Sequence, residues 1–158
     1  IVELIGYGTT SDAHHITEPG PEGISAANAM KKALLSSKIS VNEIDYINAH
    51  GTSTPMNDKL ETQAIKSVLG ELSKKIPVSS TKSMTGHLLG AGGALEAIIC
   101  SLSIKNGILP PTINLDEIDP NCDLRHIYPK AEKLDIKIAL SNSFGFGGHN
   151  SVLAFKAI

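Results

Sequence analysis

The segment NAHGTST at positions 48–54 directly follows a short apolar run, and two more polar segments stand in similar places along the sequence. They are SSTKSMTGH at positions 79–87 and NSFGFGGHN at positions 142–150. The apolar runs predict strands, so all three polar segments are expected at strand ends. Because ligands in α/β sheets bind beyond the carboxyl ends of strands, we expect the three segments to share one crevice.

The order of the predicted elements indicates an α/β layer architecture with a mixed sheet. We predict strands at positions 1–8, 41–49 and 76–80, and an antiparallel strand pair at 136–141 and 151–155. We predict helices after a Ser25 cap, after Thr54, and at 88–104, the last being apolar nearly all round and therefore buried. Frequent proline, glycine and aspartate indicate loops at 11–23 and 110–133.

Length and composition narrow the class of protein. The 158 residues fit one domain, and a net charge of -2 gives no electrostatic footprint for nucleic acid or an anionic membrane. The sequence has neither an apolar run of about 18 residues nor a secretion signal, so we expect a soluble protein. Cys100 and Cys122 lack metal-ligand spacing and are too few for a disulfide framework, which indicates free thiols in a reducing compartment.

Two histidines in the first two polar segments are suited to binding an oxyanion. His50 stands on a tight turn before Gly51, where its imidazole can donate a hydrogen bond to a developing negative charge. The alternative is a solvent-facing loop histidine. His87 is expected to open the third helix, where the helix dipole favours a neutral imidazole that can hold an enolate.

Lys82 precedes the apolar third helix and needs a carboxylate partner if it is buried. The candidates are Asp58, Glu61 and Glu96, and the pattern leaves open whether the amine is catalytic or part of a structural ion pair. The glycine-rich run at 90–93 lacks the lysine of a phosphate loop, so it indicates close helix packing.

The third polar segment places Phe144 and Phe146 among glycines. Glycines permit positive φ and a close approach by a ligand. The pattern is typical either of a mobile aromatic gate with a backbone N–H for an oxyanion, or of a hairpin that fills the core.

Together with PPTINL at positions 110–115, the three segments resemble the C-terminal half of β-ketoacyl-[acyl-carrier-protein] synthases, the condensing enzymes of fatty acid elongation. The resemblance covers essentially the whole chain. It implies a thiolase-like fold, in which two similar halves form a five-layered αβαβα core within a homodimer. Neither Cys100 nor Cys122 matches the nucleophile of these enzymes, so we expect the N-terminal half with that cysteine to be absent from this chain, and the chain alone to be inactive.

The resemblance also implies a decarboxylative Claisen condensation of an acyl thioester with malonyl-acyl-carrier protein. His50 and His87 match the histidines that bind the malonyl thioester carbonyl and stabilise its enolate. Lys82 matches a lysine held by one of the three candidate carboxylates. Phe146 matches a gate residue whose backbone N–H contributes to the oxyanion hole, with Phe144 beside it.

No cofactor is required by the implied chemistry, although some members of the family bind a monovalent cation near the positions that match Asn48, Glu96, Ser141 and Asn142. The implied partners are acyl carrier protein, with its acyl and malonyl thioesters, and the N-terminal half of the synthase. The implied compartments are the bacterial cytoplasm and the lumen of a plastid or mitochondrion.

Two alternatives belong to other functional classes. A catalytically silent scaffold or chain-length partner subunit would keep the same fold without a nucleophile. A hydrolytic zinc site would use His50, His87 and Glu96 as ligands, but the sequence has no paired spacing such as H-E-x-x-H.

Overall fold

A six-stranded mixed sheet forms the centre of the computed structural model, which describes residues 2–158. Its strands are β1 (Val2–Ser11), β2 (Tyr46–Asn48), β3 (Pro77–Ser79), β5 (Arg125–His126), β7 (Ile138–Gly145) and β8 (His149–Ala157). The strand order is β1-β8-β7-β2-β3-β5. A separate antiparallel ladder joins β4 (Ile108–Leu109) to β6 (Glu132–Lys133).

The directions of the strands bring the polar segments to one edge of the sheet. β7, β2, β3 and β5 run parallel, whereas β8 is antiparallel to both β7 and β1. Asn48, at the end of β2, is in register with Ser79 on one side and Ser141 on the other. The predicted antiparallel pair at the end of the chain is confirmed, and the first two polar segments lie at strand ends as predicted. The third segment differs, because β7 continues to Gly145 and β8 begins at His149, so that only Phe146–Gly148 forms a turn beyond the strands.

The helices cover both faces of the sheet. In the described part of the chain they are α1 (Ile24–Ser37), α2 (Asn57–Leu69), α3 (Lys82–Thr85) and α4 (Gly92–Asn106). On one face, Met30 of α1 and Ile65 of α2 pack in the same apolar cluster as Ile47. On the other face, Cys100 of α4 packs in a cluster with Tyr46. Neighbouring residues of β2 therefore face opposite layers, as the alternation of side chains along a strand requires.

Several element boundaries differ from the predictions because local contacts override the sequence pattern. α1 begins at Ile24 after a left-handed Gly23, and Ser25 is not its cap. Only β2 is a strand within 41–49, since Val41–Glu43 forms a 3₁₀ turn. The predicted loop at 110–133 contains β5 and β6, which at two residues each are too short to produce a pattern. Position 1 of the first predicted strand lies outside the described residues.

The third predicted helix differs most from its prediction. Its predicted start at position 88 lies between α3 and α4, where Leu89–Ala91 forms a 3₁₀ turn. The helix is also not buried all round within residues 2–158, because Ile98 is 56% exposed and Leu102 is 45% exposed. α4 thus has one apolar face on the sheet and a second one pointing outward. None of the helices in the described chain combines the length and hydropathy needed to span a bilayer.

Candidate active site

Hydrogen bonds to the backbone of His50 and Gly51 hold the turn that carries His50. Glu61 Oε1 accepts the His50 N–H at 2.8 Å, and Glu61 Oε2 accepts the Gly51 N–H at 2.9 Å. The Gly51 carbonyl accepts a hydrogen bond from Ser80 Oγ at 2.8 Å. Gly51 has a φ of 43°, in the left-handed region that favours glycine. The turn is therefore held by α2 and by the end of β3 together.

Glu61 is a buried carboxylate that ties α2 to the edge of the sheet. Besides the two backbone N–H groups, its Oε1 accepts a hydrogen bond from Asn142 Nδ2 of β7 at 3.0 Å. Burial raises the pKa of Glu61, and the hydrogen bonds to its charged form oppose that rise. One carboxylate thus joins three elements of the fold at the position of His50.

The rings of His50 and His87 meet edge to face at the sheet edge. Their centroids are 5.5 Å apart and their planes are inclined by 82°. The ring of Phe144 lies 5.9 Å from that of His50. His50 is 6% exposed, which contradicts the alternative of a solvent-facing loop histidine, whereas His87 is exposed. The structure thus brings the two predicted histidines into one pair.

His50 is held in its neutral form by its surroundings. Burial lowers the pKa of His50 to about 3, and the charges of Lys82 and His87 act in the same direction. Within residues 2–158, its Nδ1 is buried and has no hydrogen-bond partner. A neutral imidazole keeps one N–H donor, so His50 is suited to hold a negatively charged oxygen.

His87 is oriented by its own turn. The Leu89 N–H donates to His87 Nδ1 at 3.0 Å, so the neutral ring carries its proton on Nε2. The prediction that His87 opens the third helix was wrong, because α4 begins only at Gly92. The ring nevertheless lies beside that helix start, since a Cβ on Gly92 would be 3.9 Å from His87 Nδ1. The hydrogen bond from Leu89, rather than a place inside the helix, sets the tautomer.

Lys82 and Glu96 form a buried ion pair, in which Lys82 Nζ donates to Glu96 Oε1. Their side chains are 7% and 4% exposed. Burial raises the pKa of Glu96, and the neighbouring ammonium opposes that rise. The structure thereby resolves the three candidate carboxylates: Glu96 holds the lysine, Glu61 holds the His50 turn, and Asp58 accepts the Ser53 N–H at 3.1 Å.

The two phenylalanines of the third segment occupy different positions. Phe144 belongs to β7 and packs partly buried against the core, whereas Phe146 is 77% exposed in the turn between β7 and β8. That turn is tied to the loop after β1, because the Gly147 N–H donates to the Ile16 carbonyl at 2.7 Å. Phe146 does not fill the core, so the hairpin-plug alternative does not describe it.

The four positions predicted near a monovalent cation are buried. Asn48 and Ser141 are in register on adjacent strands, and Asn142 follows Ser141. In residues 2–158, Asn48 Oδ1 and Asn142 Oδ1 are buried without a hydrogen-bond partner. Buried amide oxygens that lack a donor are good ligands for a hard cation. The two unpartnered amide oxygens of Asn48 and Asn142 are thus groups of the kind that such an ion binds.

The zinc alternative lacks a set of ligands. Across the part of the chain that the structure describes, no three His, Cys, Asp or Glu side chains are grouped closely enough to hold a metal ion. Glu96, the third ligand of that alternative, is paired with Lys82.

The two cysteines are free thiols in the described chain, as predicted. Burial raises the pKa of Cys100 to about 12, with the charge of Glu96 acting in the same direction. Burial also raises the pKa of Cys122. Because the thiolate is the nucleophilic form, neither residue is an activated nucleophile.

Two hydroxyl residues that the sequence did not single out support the site. Ser80 donates to the turn of His50 as described above, and its own N–H donates to Thr112 Oγ1 at 3.0 Å. Ser80 belongs to the same polar segment as Lys82, and this was the only indication in the sequence that it lies near the site. Thr112 lies far along the chain, and no periodicity or spacing connects it to His50.

Comparison with known proteins gives a consistent picture. Residues 1–116 match the family model described as beta-ketoacyl synthase, C-terminal domain. The chain is 54% identical over 154 residues to a 3-oxoacyl-[acyl-carrier-protein] synthase 2 of Staphylococcus aureus, and 53% identical over 154 residues to one of Synechocystis sp.. These alignments cover 98% of this chain but only 38% and 37% of the relatives. The chain thus spans little more than a third of their length.

Solved structures agree with the sequence comparison. A β-ketoacyl synthase from Burkholderia phymatum superposes with a TM-score of 0.93 at 42% identity, covering 99% of this chain and 38% of that one. A complex of a type II polyketide synthase acyl-carrier protein with its ketosynthase gives a TM-score of 0.97 at 42% identity, covering 99% and 38%. The predicted thiolase-like fold is therefore confirmed.

Proposed function

The chain belongs to the β-ketoacyl synthase family, and from this premise we propose that it supplies the enolate-binding part of the active site of a 3-oxoacyl-[acyl-carrier-protein] synthase. The observation that carries the proposal is the convergence of His50 and His87, whose ring centroids are 5.5 Å apart. Each imidazole offers an N–H, and two such donors can hold one enolate oxygen.

The proposed reaction is a decarboxylative Claisen condensation. The bond between the malonyl α-carbon and its carboxylate carbon breaks, carbon dioxide leaves, and the electron pair forms an enolate with the thioester carbonyl. The N–H groups of His50 and His87 stabilise the charge that develops on the enolate oxygen. The enolate carbon then attacks an acyl thioester, so that a carbon–carbon bond forms and a thiolate leaves.

The thiolate in this proposal belongs to a cysteine of the N-terminal half of the synthase, because Cys100 and Cys122 are not activated. The outward face of α4 supports the docking of that half. Ile98 and Leu102 on this face expose apolar surface of a kind that marks an interaction site. A homodimer of the complete synthase completes the proposed assembly.

Lys82 organises the site rather than reacting. Its ammonium is paired with Glu96 in a buried position, and its charge disfavours protonation of His50. Burial is the main reason why His50 stays a neutral donor near pH 7, and the ammonium of Lys82 adds to that effect.

Phe146 would act as the gate of the crevice. It is exposed and is followed by Gly147 and Gly148, whose φ angles of 78° and 74° are accessible to glycine at little cost. Its backbone N–H would contribute to the oxyanion hole for the acyl thioester, while Phe144 packs against the ring of His50.

A monovalent cation would be held by the buried oxygens of Asn48, Glu96, Ser141 and Asn142. It would supply a fixed positive charge that orients the amide groups at the edge of the sheet. No step of the condensation passes through it.

Acyl carrier protein is the proposed carrier of both thioesters. One ketosynthase complex of the same fold was solved with its acyl-carrier protein, and another with its chain length factor. The Staphylococcus aureus and Synechocystis relatives are both bacterial, and we take the bacterial cytoplasm as the site of action.

The test combines this chain with the N-terminal half of the Staphylococcus aureus relative and measures carbon dioxide release from malonyl-acyl-carrier protein and condensation with an acyl-carrier protein thioester. We expect both activities in the assembled protein. His50→Gln and His87→Gln should each reduce decarboxylation by about 10²-fold or more.

The matched control is His126→Gln, since His126 lies on β5 and bonds to the Cys122 carbonyl rather than to the histidine pair. It should retain wild-type activity. Assembly of the two halves without any decarboxylation would contradict the proposal and favour the chain-length partner subunit.

A further inference from the structure

The segment PPTINL at 110–115 has no part in the proposed chemistry, yet it is fastened to the loop after β3. Thr112 Oγ1 accepts the Ser80 N–H at 3.0 Å, and the Ile113 N–H donates to Ser83 Oγ at 3.0 Å. The Thr112 N–H in turn donates to the Ile127 carbonyl at 2.8 Å. The segment therefore holds the residues that follow β3 from the side of β5.

Ser80, which the segment 110–115 holds in place, is itself hydrogen-bonded to the turn of His50. Its Oγ donates to the Gly51 carbonyl at 2.8 Å, and the two residues are in close contact. A Cβ on Gly51 would lie only 2.4 Å from Ser80 Cβ. Because Ser80 is 9% exposed, water cannot readily replace its hydroxyl.

The ring of His50 depends on this backbone support. In residues 2–158, its Nδ1 makes no hydrogen bond, so the position of the ring follows from packing and from the turn beneath it. Glu61 fixes the turn through two N–H groups, and Ser80 fixes it through the Gly51 carbonyl. Without the Ser80 hydroxyl, the Gly51 carbonyl would lose its hydrogen bond from the loop after β3.

We propose that Ser80, braced by Thr112, is a positioning residue that fixes the place of His50 opposite His87. The consequence for catalysis rests on the proposed function. A donor displaced by about 1 Å can cost about 10²-fold in rate, so the hydroxyl should affect the step that uses the enolate oxygen and no other.

The first test measures the two half-reactions of the assembled synthase separately. Ser80→Ala should lower kcat for malonyl decarboxylation by about 10-fold to 10²-fold, with KM for malonyl-acyl-carrier protein changed less than about twofold. Transfer of the acyl group to the cysteine of the other half should be unaffected. Thr112→Val should act in the same direction, and Thr112→Ser, which keeps the hydroxyl, should restore the wild-type rate.

The matched control is Ser101→Ala, which removes the same hydroxyl from α4, where Ser101 Oγ donates to the Ala97 carbonyl at 2.8 Å. It should change neither half-reaction. Equal loss of both half-reactions in Ser80→Ala would indicate a merely structural residue and would overturn the proposal. If Ser80→Ala does not fold, the same two half-reactions are compared between Thr112→Val and Thr112→Ser. Slower decarboxylation in Thr112→Val alone would support the proposal, and an equal loss of both half-reactions would overturn it.

A second readout does not depend on activity. Histidine-selective ¹³C labelling of the assembled protein, with His50 assigned from His50→Gln, reports the surroundings of that ring by NMR at constant pH. Ser80→Ala should shift the His50 ring signal, because the ring moves relative to the rings of His87 and Phe144, while Ser101→Ala should leave it unchanged. An unchanged His50 signal in Ser80→Ala would overturn the proposal. A shifted signal in an assembly that never decarboxylates malonyl thioester would uphold the positioning role and reject the proposed function.

Discussion

The two histidine turns of the site reach similar positions by different means. The turn of His50 is held from α2 and from the loop after β3, through Glu61 and Ser80. The turn of His87 is held locally, by a hydrogen bond from Leu89 two residues away. His50 is buried and His87 is exposed. One turn is therefore part of the tertiary core, whereas the other is a local structure laid on its surface.

Because of this difference, changes in the two turns should affect the stability of the protein unequally. Contacts between distant elements contribute to the stability of the whole fold, so damage to the His50 turn should lower the free energy of unfolding. A local hydrogen bond on an exposed turn contributes little to global stability, so damage to the His87 turn should leave the fold intact. Both turns are nevertheless expected to matter equally to an enolate held between them.

The largest effect is expected for Glu61→Ala. The substitution leaves the N–H groups of His50 and Gly51 and the Asn142 amide without their acceptor. Each buried donor left unpaired costs about 1–3 kcal/mol, so we expect the unfolding free energy to fall by about 4 kcal/mol in urea denaturation of the assembled protein. Glu61→Gln keeps one acceptor oxygen and should lose about 2 kcal/mol. Wild-type stability in Glu61→Ala would show that α2 does not hold this turn.

A pair of glycines beside the two histidines sharpens the comparison. Gly51 has a φ of 43° and a Cβ there would lie 2.4 Å from Ser80 Cβ, while Gly86 has a φ of 71° and no atom within 4 Å of such a Cβ. Gly51→Ala combines backbone strain with overpacking and should cost about 3 kcal/mol. Gly86→Ala meets no crowding, but its φ of 71° with a ψ of -177° is a conformation that almost only glycine adopts, so it should cost about 2 kcal/mol. Equal shifts of the two urea midpoints would mean that the turns are equally crowded.

The sequence predicts the parts of this site that depend on strand ends. An apolar run followed by polar residues placed His50 at the carboxyl edge of a parallel strand, and β2 has that position. The partner of each carboxylate was not predictable, because Asp58, Glu61 and Glu96 all lie within reach of a buried lysine on sequence grounds. The relevant signal for Glu61 was its place one turn before Ile65 on the buried stripe of α2, which indicates a carboxylate that bonds inside the fold.

Long-range support was the least predictable part of the structure. Thr112 and Ser80 belong to segments joined only by the tertiary fold, and β5 is two residues long. The outward face of α4 was missed for a related reason. Its apolar residues run nearly all round the helix, so the pattern contains no information about which face meets the sheet.

The pH dependence of stability tests the burial of His50. The unfolded chain binds a proton at this residue near pH 6.5, whereas the folded pKa is about 3. Since the unfolded state binds more protons between these values, the stability from this residue is complete above about pH 6.5 and is lost as the pH falls toward 3. Between pH 7 and pH 5 we expect a loss of about 2 kcal/mol. Urea denaturation at the two pH values should show that loss in wild type and in Ser101→Ala, and a flatter dependence in His50→Gln. An equally steep dependence in His50→Gln would place the responsible proton elsewhere.

The smallest effect on stability, with a full effect on function, is expected for His87→Ala. Its ring is exposed and its hydrogen bond comes from its own turn, so the unfolding free energy should change by less than about 0.5 kcal/mol. Decarboxylation should still fall by about 10²-fold to 10³-fold, because one of two oxyanion donors is lost. If His87→Ala destabilised the protein as strongly as Glu61→Ala, the two turns would not differ in the way their contacts indicate. If His87→Ala loses activity but keeps its stability, the turn of His87 serves to place a hydrogen-bond donor and contributes little to the stability of the fold.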